Sequence, residues 1–361
     1  MAKEIIETFC KMVRISSESG EEKEFILYLK DLFEKRFKAR CIIDNYGNLI
    51  IKIPSKNTNC QDPVFFGFHA DTVKPGKNIE PVLKDGIIFS KGDTILGADD
   101  KAGIAEMFEA IRTAEQYPPL EIAVVRQEET GLLGSKNLDV SLIDSKIGFV
   151  VDMDGLQYIV IGGPSYMKIE VKIIGRAAHA GMSPEKGISS IKAAAYAISI
   201  LKEGWIDEGT TVNVGIIKGG LILNSVPEET NIQIECRSQS HKKCLYQSNL
   251  IKEIFVTIAK SLGAKAEVKM NLSFKASKIS ENIRVVQIAK KAISNIGLKP
   301  KVEVICGGTD ASNYNEKGIK TVVIGMGVQE EHTKEERIAV ADMEKAVKIL
   351  QYIFVELCQK K

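Results

Sequence analysis

The N-terminal part of the chain carries apolar residues at two different spacings. In residues 5–13 and 25–33 they recur every three or four positions, which predicts two amphipathic helices. Residues 41–44 and 49–53 are short apolar runs on either side of the sequence NYGN, a pattern typical of a β-hairpin. We therefore expect the chain to open with two helices followed by a hairpin.

Longer apolar runs follow, and they alternate with helical patterns. Residues 64–68, 121–126 and 147–151 predict buried strands, and apolar residues at helical spacing follow the stretch 97–103. Alternating strands and helices are typical of a sheet with helices on its faces. The sequence therefore predicts an α/β domain that begins at the N-terminus.

The pattern changes after the Gly-Gly-Pro sequence at 162–164. Apolar and polar residues now alternate, which predicts strands with one buried face, at residues 167–173, 211–217, 230–236 and 266–272. Helical patterns lie between and after these strands, at residues 188–201 and 243–262. One-sided strands with helices on one face indicate a separate α+β layer.

These changes divide the chain into three segments. Residues 1–164 are predicted to form the first part of the α/β domain, and residues 165–275 an inserted α+β domain. The α/β pattern returns in residues 276–361, which are predicted to complete the first domain. A length of 361 residues is ample for two domains.

Composition and charge exclude several classes of function. Apolar residues make up 44% of the chain and charged residues 27%, which are ordinary values for a globular protein. The formal net charge is +2, and the positive residues are not concentrated in one basic stretch, so we expect no nucleic-acid partner.

The cysteines and the apolar runs bear on location. The N-terminus lacks the apolar core of a signal peptide, and no segment approaches the ~20 apolar residues of a membrane span. The seven cysteines are odd in number and include no Cys-x-x-Cys pair, which fits reduced thiols. We expect a cytoplasmic protein without membrane contact.

Acidic residues and histidines lie where strands are predicted to end. Asp99 and Asp100 lie in the sequence GADDKAG, where a loop is predicted to run into a helix; helix capping is the alternative interpretation of this pair. Predicted strand ends carry further candidates, which are His69, Glu128, Glu129 and Asp152, and His332 lies near the C-terminus. In open α/β sheets ligands gather at the carboxyl ends of strands. Imidazoles and carboxylates together suit zinc, cobalt or manganese.

The ordered set of motifs resembles a known family over essentially the whole chain. The marks are HAD at 69–71, GADDKAG at 97–103, EE at 128–129, Asp152, AHAG at 178–181, residues 224–237, GGTDA at 307–311 and His332. They resemble the co-catalytic zinc metallopeptidase family that includes peptidase T, glutamate carboxypeptidase, aminoacylase and succinyl-diaminopimelate desuccinylase. The peptidase T branch is the most similar. The resemblance implies a catalytic α/β domain interrupted by a lid and dimerisation domain.

The resemblance also implies two divalent metal ions. Asp99 would bridge them, because a carboxylate has two oxygens. The first metal would be completed by His69 and Asp152, and the second by Glu129 and His332. Asp154 stays open as an alternative to Asp152, which follows the apolar strand directly. Only one of the four histidines, His241, lies outside the family motifs.

Further site residues follow from the resemblance. Glu128 would act as the base, and Asp71 would orient the His69 imidazole. His179 matches a histidine that reaches the active site, in dimers from the neighbouring subunit, and helps to stabilise the oxyanion; a structural role in the lid is the alternative. The positions that match substrate contacts are Asn224, Arg237 and Gly308, the last as part of a cleft wall.

We therefore expect an enzyme that hydrolyses amide bonds of small peptides, as an aminopeptidase of tripeptides. An N-acyl amino acid deacylase or a carboxypeptidase with the same metal chemistry is the alternative, and a metal-free binding protein is a further one. A homodimer formed through the lid domain is implied by the resemblance, and zinc is the default metal.

Overall fold

The computed structural model describes residues 2–359, and their contacts divide the chain into two compact units. The first unit comprises the chain up to Ile161, Lys278–Glu303 and the chain from Thr309 onward. The second unit comprises Gly162–Ser277 and Val304–Gly308. Five residues that the sequence analysis assigned to the last catalytic segment, 304–308, thus group with the second unit.

The first unit is built on a nine-stranded mixed sheet. Its strands are β1 (Arg40–Ile43), β2 (Leu49–Ile53), β3 (Val64–His69), β6 (Leu120–Val125), β7 (Ile147–Val151), β8 (Tyr158–Gly163), β14 (Ser277–Lys278), β15 (Lys301–Val304) and β16 (Lys320–Ile324). The order is β1-β2-β6-β3-β7-β16-β8-β14, and β15 pairs with β8. β3 is parallel to both β6 and β7, so the three ends that carry candidate residues lie at one edge of the sheet.

A second, smaller sheet in this unit was not predicted from the sequence. It contains β4 (Pro81–Lys84), β5 (Ile87–Ser90), β17 (Val328–Gln329) and β18 (Arg337–Ala339). The order is β17-β18-β5-β4, and β18 is antiparallel to β5. This pairing joins segments from opposite ends of the first unit's sequence.

Helices complete the first unit. They are α1 (Ala2–Arg14), α2 (Lys23–Phe37), α3 (Ala98–Thr113), α4 (Leu133–Asn137), α7 (Arg284–Asn295), α8 (Ala311–Glu316) and α9 (Val340–Cys358). α9 packs against α3 and α7, and α1 packs against α3. Phe66 of β3 is fully buried, with its ring 5.5 Å from that of Phe149 and 5.9 Å from that of Phe354. These contacts fix the central strands beneath the helices.

The second unit has the predicted α+β arrangement. Its strands are β9 (Ser165–Ile174), β10 (Gly204–Asp207), β11 (Thr210–Gly219), β12 (Glu229–Ser238) and β13 (Lys265–Phe274), in the antiparallel order β10-β11-β12-β9-β13. Two helices, α5 (Ser190–Ile200) and α6 (His241–Ser261), pack on the sheet. Alternate residues of β9, such as Ile169 and Val171, are buried with Ile251 and Phe255 of α6. The period-two pattern thus identified the buried faces of β9 and β12 correctly, whereas Ile216 and Ile217 of β11 are exposed.

Within the described residues 2–359, no helix combines the length and the apolar character that crossing a membrane requires.

Candidate active site

The ends of β3, β6 and β7 bring four candidate side chains together. His69 is the last residue of β3, Asp152 directly follows β7, and Glu128 and Glu129 follow β6. The expectation that these strand ends meet at one edge of a sheet is confirmed, because the three strands are parallel neighbours. His332 reaches the same place from the segment between β17 and β18.

Asp99 lies between the two histidines. Its Oδ1 atom is 3.0 Å from His69 Nε2, and its Oδ2 atom is 3.1 Å from His332 Nε2. Each carboxylate oxygen therefore faces a different imidazole. The peptide bond between Asp99 and Asp100 is cis.

One further carboxylate accompanies each histidine. Asp152 Oδ1 lies 3.7 Å from His69 Nε2, and Glu129 Oε1 lies 2.9 Å from His332 Nε2. Within each group the ligand atoms lie within 4.8 Å of one another; the groups are His69–Asp99–Asp152, Asp99–Glu129–His332 and His69–Glu128–Glu129. The two groups that contain Asp99 match the two metal sites expected from the resemblance.

Asp154, the open alternative to Asp152, belongs to none of these groups among the described residues. Its Oδ1 atom accepts a hydrogen bond from the backbone of Gly155 at 2.9 Å. The geometry therefore favours Asp152 as the acid that faces His69.

Asp71 holds the backbone that carries Glu128 and Glu129. Its Oδ1 atom accepts from Glu128 N at 2.9 Å, and its Oδ2 atom accepts from Glu129 N at 3.2 Å and from Ser19 Oγ at 2.7 Å. Its backbone oxygen also lies 2.9 Å from His69 Nδ1. Asp71 thus fixes His69 through its main chain and both glutamates through its side chain.

Helix capping, the alternative interpretation of the Asp99-Asp100 pair, is wrong. Neither aspartate caps α3, whose N-cap is Gly97 without a side-chain cap bond. Asp99 faces the histidines, and Asp100 Oδ2 accepts from His69 N at 3.1 Å. Asp100 thus lies between the end of β3 and the first turn of α3, where a Cβ atom at Gly103 would lie 2.3 Å from its Oδ1 atom.

Two buried glutamates that support the site were not found from the sequence. Glu336 accepts hydrogen bonds from the three backbone N–H groups of residues 97–99. Glu22 accepts from Gln127 N at 3.2 Å and from Arg126 Nε at 2.9 Å, just before Glu128. Neither residue lies at a strand end or in a recognisable motif, so no local signal distinguishes them from surface acids.

The pKa values of the cluster reflect an excess of negative groups. Contacts with Asp99 and then Glu129 raise the pKa of His332 to about 10. Burial lowers the pKa of His69, but the charge of Asp99 and hydrogen bonds that the imidazole donates to neighbouring carboxylates raise it well above its ordinary value. Burial raises the pKa of Asp152 to about 7. The cluster therefore attracts positive charge, which protons or metal cations can supply.

The donor set fits divalent metal ions. Glu129 Oε1 is buried and close to His332 Nε2, yet it has no hydrogen-bond partner among the described residues. Imidazole nitrogens and carboxylate oxygens that converge on one place are typical of ligands for zinc, cobalt or manganese.

Two candidate residues of the second unit, His179 and Asn224, lie on paired segments. His179 is exposed and forms an isolated antiparallel bridge with Ser225, while Ala180 N donates to the backbone oxygen of Asn224 at 3.0 Å. The His179 Nδ1 atom accepts from the backbone of Met182 at 3.1 Å. The pairing brings the backbones of the AHAG motif and the Asn224 loop together.

Arg237 and Gly308 have structural surroundings that the sequence did not indicate. The Arg237 guanidinium lies 4.4 Å from the centre of the Tyr166 ring, and one of its nitrogens is 3.1 Å from Glu235 Oε2. At Gly308 a Cβ atom would lie 2.4 Å from the Phe274 ring, so any larger residue there would require this ring to shift.

Comparisons with known proteins agree with this geometry. A sequence model of Peptidase family M20/M25/M40 matches residues 65–356, and the chain belongs to this family. The chain is 37% identical to the uncharacterized protein YqjE of Bacillus subtilis over 98% of both proteins.

Two solved structures are similar over nearly their whole length. The aminopeptidase PepT from Bacillus cereus is 36% identical, with a TM-score of 0.88 and 99% of both chains covered. A tripeptidase from Staphylococcus aureus is 33% identical, with a TM-score of 0.93 over 100% of this chain and 99% of that one. The protein is therefore a peptidase, similar to peptidase T proteins, of a metal-dependent family.

Removal of His332 should affect one of two metal sites. We expect the unsubstituted protein to bind two equivalents of Co²⁺, as measured by visible absorption during titration. His332→Ala should lose one equivalent, or bind it more weakly by more than the ~10–100-fold that loss of an outer partner costs.

His241→Ala is the matched control, because His241 contacts Ser165 in the second unit and belongs to none of the ligand groups. It should retain both equivalents. Two unweakened equivalents in His332→Ala would contradict the assignment of His332 as a ligand.

Proposed function

We propose that the protein is a dinuclear metal-dependent aminopeptidase that releases the N-terminal residue of small peptides, with tripeptides as its substrates. The observation that carries this proposal is Asp99, whose two oxygens face His69 and His332 at 3.0 and 3.1 Å. A carboxylate shared between two ligand groups suits a pair of metal ions. The similar proteins named aminopeptidase PepT and tripeptidase support the choice of substrate.

The proposed ligands are His69 and Asp152 for one metal, Glu129 and His332 for the other, and Asp99 for both. When bound, the metals polarise the substrate carbonyl and favour ionisation of water. Zinc is the default metal, and cobalt or manganese would suit the same donors.

Glu128 is the proposed general base. Its carboxylate takes a proton from the attacking water and later gives that proton to the amine that leaves. Asp71 holds the Glu128 backbone at 2.9 Å and so aims this carboxylate. The backbone N–H groups of Glu128 and Glu129 donate to different oxygens of Asp71, which fixes the main chain of both glutamates.

Residues of the second unit are proposed to bind the substrate. His179 would donate to the oxygen that gains negative charge during attack. Asn224 and Arg237 would contact the peptide, Arg237 through a substrate carboxylate, and Gly308 would contribute backbone to the cleft wall. The unit as a whole is proposed to act as a lid and dimerisation domain.

A homodimer is part of the proposal. Large apolar side chains of the second unit are exposed, among them Trp205 at 61% and Leu221 at 100%. Such exposure is typical of surfaces that are covered in an assembly. Sedimentation equilibrium would measure the mass directly, and a monomer at micromolar concentration would contradict this part.

We propose that the enzyme works in the cytoplasm. The seven cysteines are all free thiols, which suits a reducing compartment. Fractionation of cells that express the protein would test this, and recovery outside the cytoplasm would contradict it.

The substrate proposal is tested with cobalt- or zinc-loaded protein and a panel of unblocked tripeptides, dipeptides and N-acetylated amino acids. We expect release of the N-terminal residue from tripeptides, detected by mass spectrometry of the products. Cleavage of the acetylated compounds alone would establish a deacylase instead, and release of the C-terminal residue a carboxypeptidase.

Glu128→Gln should separate chemistry from metal binding. The amide cannot take the proton, so we expect kcat to fall by about a hundredfold or more while both metal equivalents remain bound. The control is Glu24→Gln, the same change at an exposed position of α2, which should leave kcat unchanged. Full activity of Glu128→Gln with metal bound would show that another group moves the proton.

A further inference from the structure

Three consecutive backbone N–H groups at the start of α3 converge on one carboxylate. Glu336 Oε2 accepts from Gly97 N at 2.6 Å, and Oε1 accepts from Ala98 N at 2.7 Å and from Asp99 N at 3.0 Å. Burial raises the pKa of Glu336 to about 7, and the three N–H donors favour its ionised form, to which hydrogen bonds are roughly twice as strong as to a neutral acceptor. The loop that carries Asp99 is thus held by a residue 237 positions away in the chain.

Glu336 is itself held firmly. It is 1% exposed, and its backbone N–H donates to Thr333 O at 3.2 Å. The next residue, Arg337, begins β18, which pairs with β5 in the smaller sheet. The carboxylate therefore belongs to a fixed part of the first unit.

The same short segment also carries His332, four positions before Glu336. His332 faces Asp99 with its side chain at 3.1 Å, while Glu336 holds the backbone of Asp99 at 3.0 Å. The two contacts join the same two segments of the chain. The position of Asp99 relative to His332 therefore depends on the Glu336 carboxylate.

An ordinary helix cap would not need this arrangement. Gly97 has φ of 66°, in the left-handed region, and it directs its N–H toward Glu336 together with the next two residues. The bonds leave both side-chain oxygens of Asp99 directed at the histidines. Glu336 thus fixes the Asp99 backbone without competing for its carboxylate.

We infer that Glu336 is a positioning residue that sets the distance between Asp99 and His332, and thereby the affinity of the Asp99–Glu129–His332 group for its metal ion. The inference rests on the metal centre of the proposed function. Glu336 touches neither substrate nor metal in this scheme. It acts through the backbone of Asp99 and through the segment that carries His332.

Glu336→Gln tests this role. Glutamine has a single acceptor oxygen, and its NH₂ group would face at least one of the three N–H donors. Titration with Co²⁺ followed by visible absorption should show one equivalent bound at least about tenfold more weakly, the size typical for lost outer partners of a metal site. Thermal unfolding of the metal-free variants, followed by circular dichroism, shows that each is folded at the titration temperature.

Two variants make the result specific. Glu335→Gln makes the same change at the exposed neighbouring position and should bind both equivalents like the unsubstituted protein. Glu336→Asp keeps the charge on a shorter side chain and should recover part of the affinity. It also replaces Glu336→Gln in the titration if that variant does not fold.

Comparing Glu336→Gln with and without His332 distinguishes a positioning role from a general loss of structure. In a His332→Ala background the Asp99–Glu129–His332 group is already disrupted, so Glu336→Gln should weaken the remaining equivalent by less than tenfold. Unchanged affinity in Glu336→Gln would overturn the inference, as would equal weakening of both equivalents whether or not His332 is present. Because cobalt binding is measured without peptide, a protein that shows these effects but cleaves no peptide would refute only the proposed function.

Discussion

The site depends on one shared carboxylate. Asp99 offers one oxygen to His69 and the other to His332, and these histidines are 30 and 233 positions away from it. His69 lies at the end of a central strand, whereas His332 lies in a segment that leads into the smaller sheet. Both sheets of the first unit must form before the two ligand groups can meet at Asp99.

Buried carboxylates recur as anchors around this centre. Asp71 accepts from the backbone of Glu128 and Glu129, and Glu336 accepts from residues 97–99. Glu22 does the same for Gln127, next to Glu128. The loops that carry Asp99 and the two glutamates are thus fixed by hydrogen bonds that their backbone N–H groups donate to distant carboxylates, which satisfies groups that burial would otherwise leave unpaired.

Much of the fold could be predicted from the sequence because the spacing of apolar residues can be read within each helix or strand. The apolar runs of β3, β6 and β7 predict buried strands, and the alternation in β9 and β12 marks their buried faces directly. In the smaller sheet, the β4–β5 hairpin could have been predicted from its Asp-Gly turn at residues 85–86, whereas β17 has only two residues and β18 pairs with a strand from the other end of the first unit's sequence. Such pairings leave no local pattern.

The site residues also divide into those with a local sequence signal and those recognisable only by contacts with distant segments. His69, Glu128, Glu129 and Asp152 could be proposed because each follows a recognisable strand, and Asp99 because an acidic pair precedes a helix. Glu336 could not be proposed, because its partners are backbone N–H groups on the other side of the sequence. The capping alternative for Asp99 and Asp100 was wrong, because the first N–H groups of α3 and its N-cap donate to Glu336.

The central claim is that Asp99 is shared by two metal ions, and anomalous X-ray scattering from zinc-loaded crystals tests it most directly. We predict two anomalous peaks on either side of the Asp99 carboxylate, one beside His69 and Asp152 and the other beside Glu129 and His332. A single peak, or peaks away from Asp99, would contradict the account.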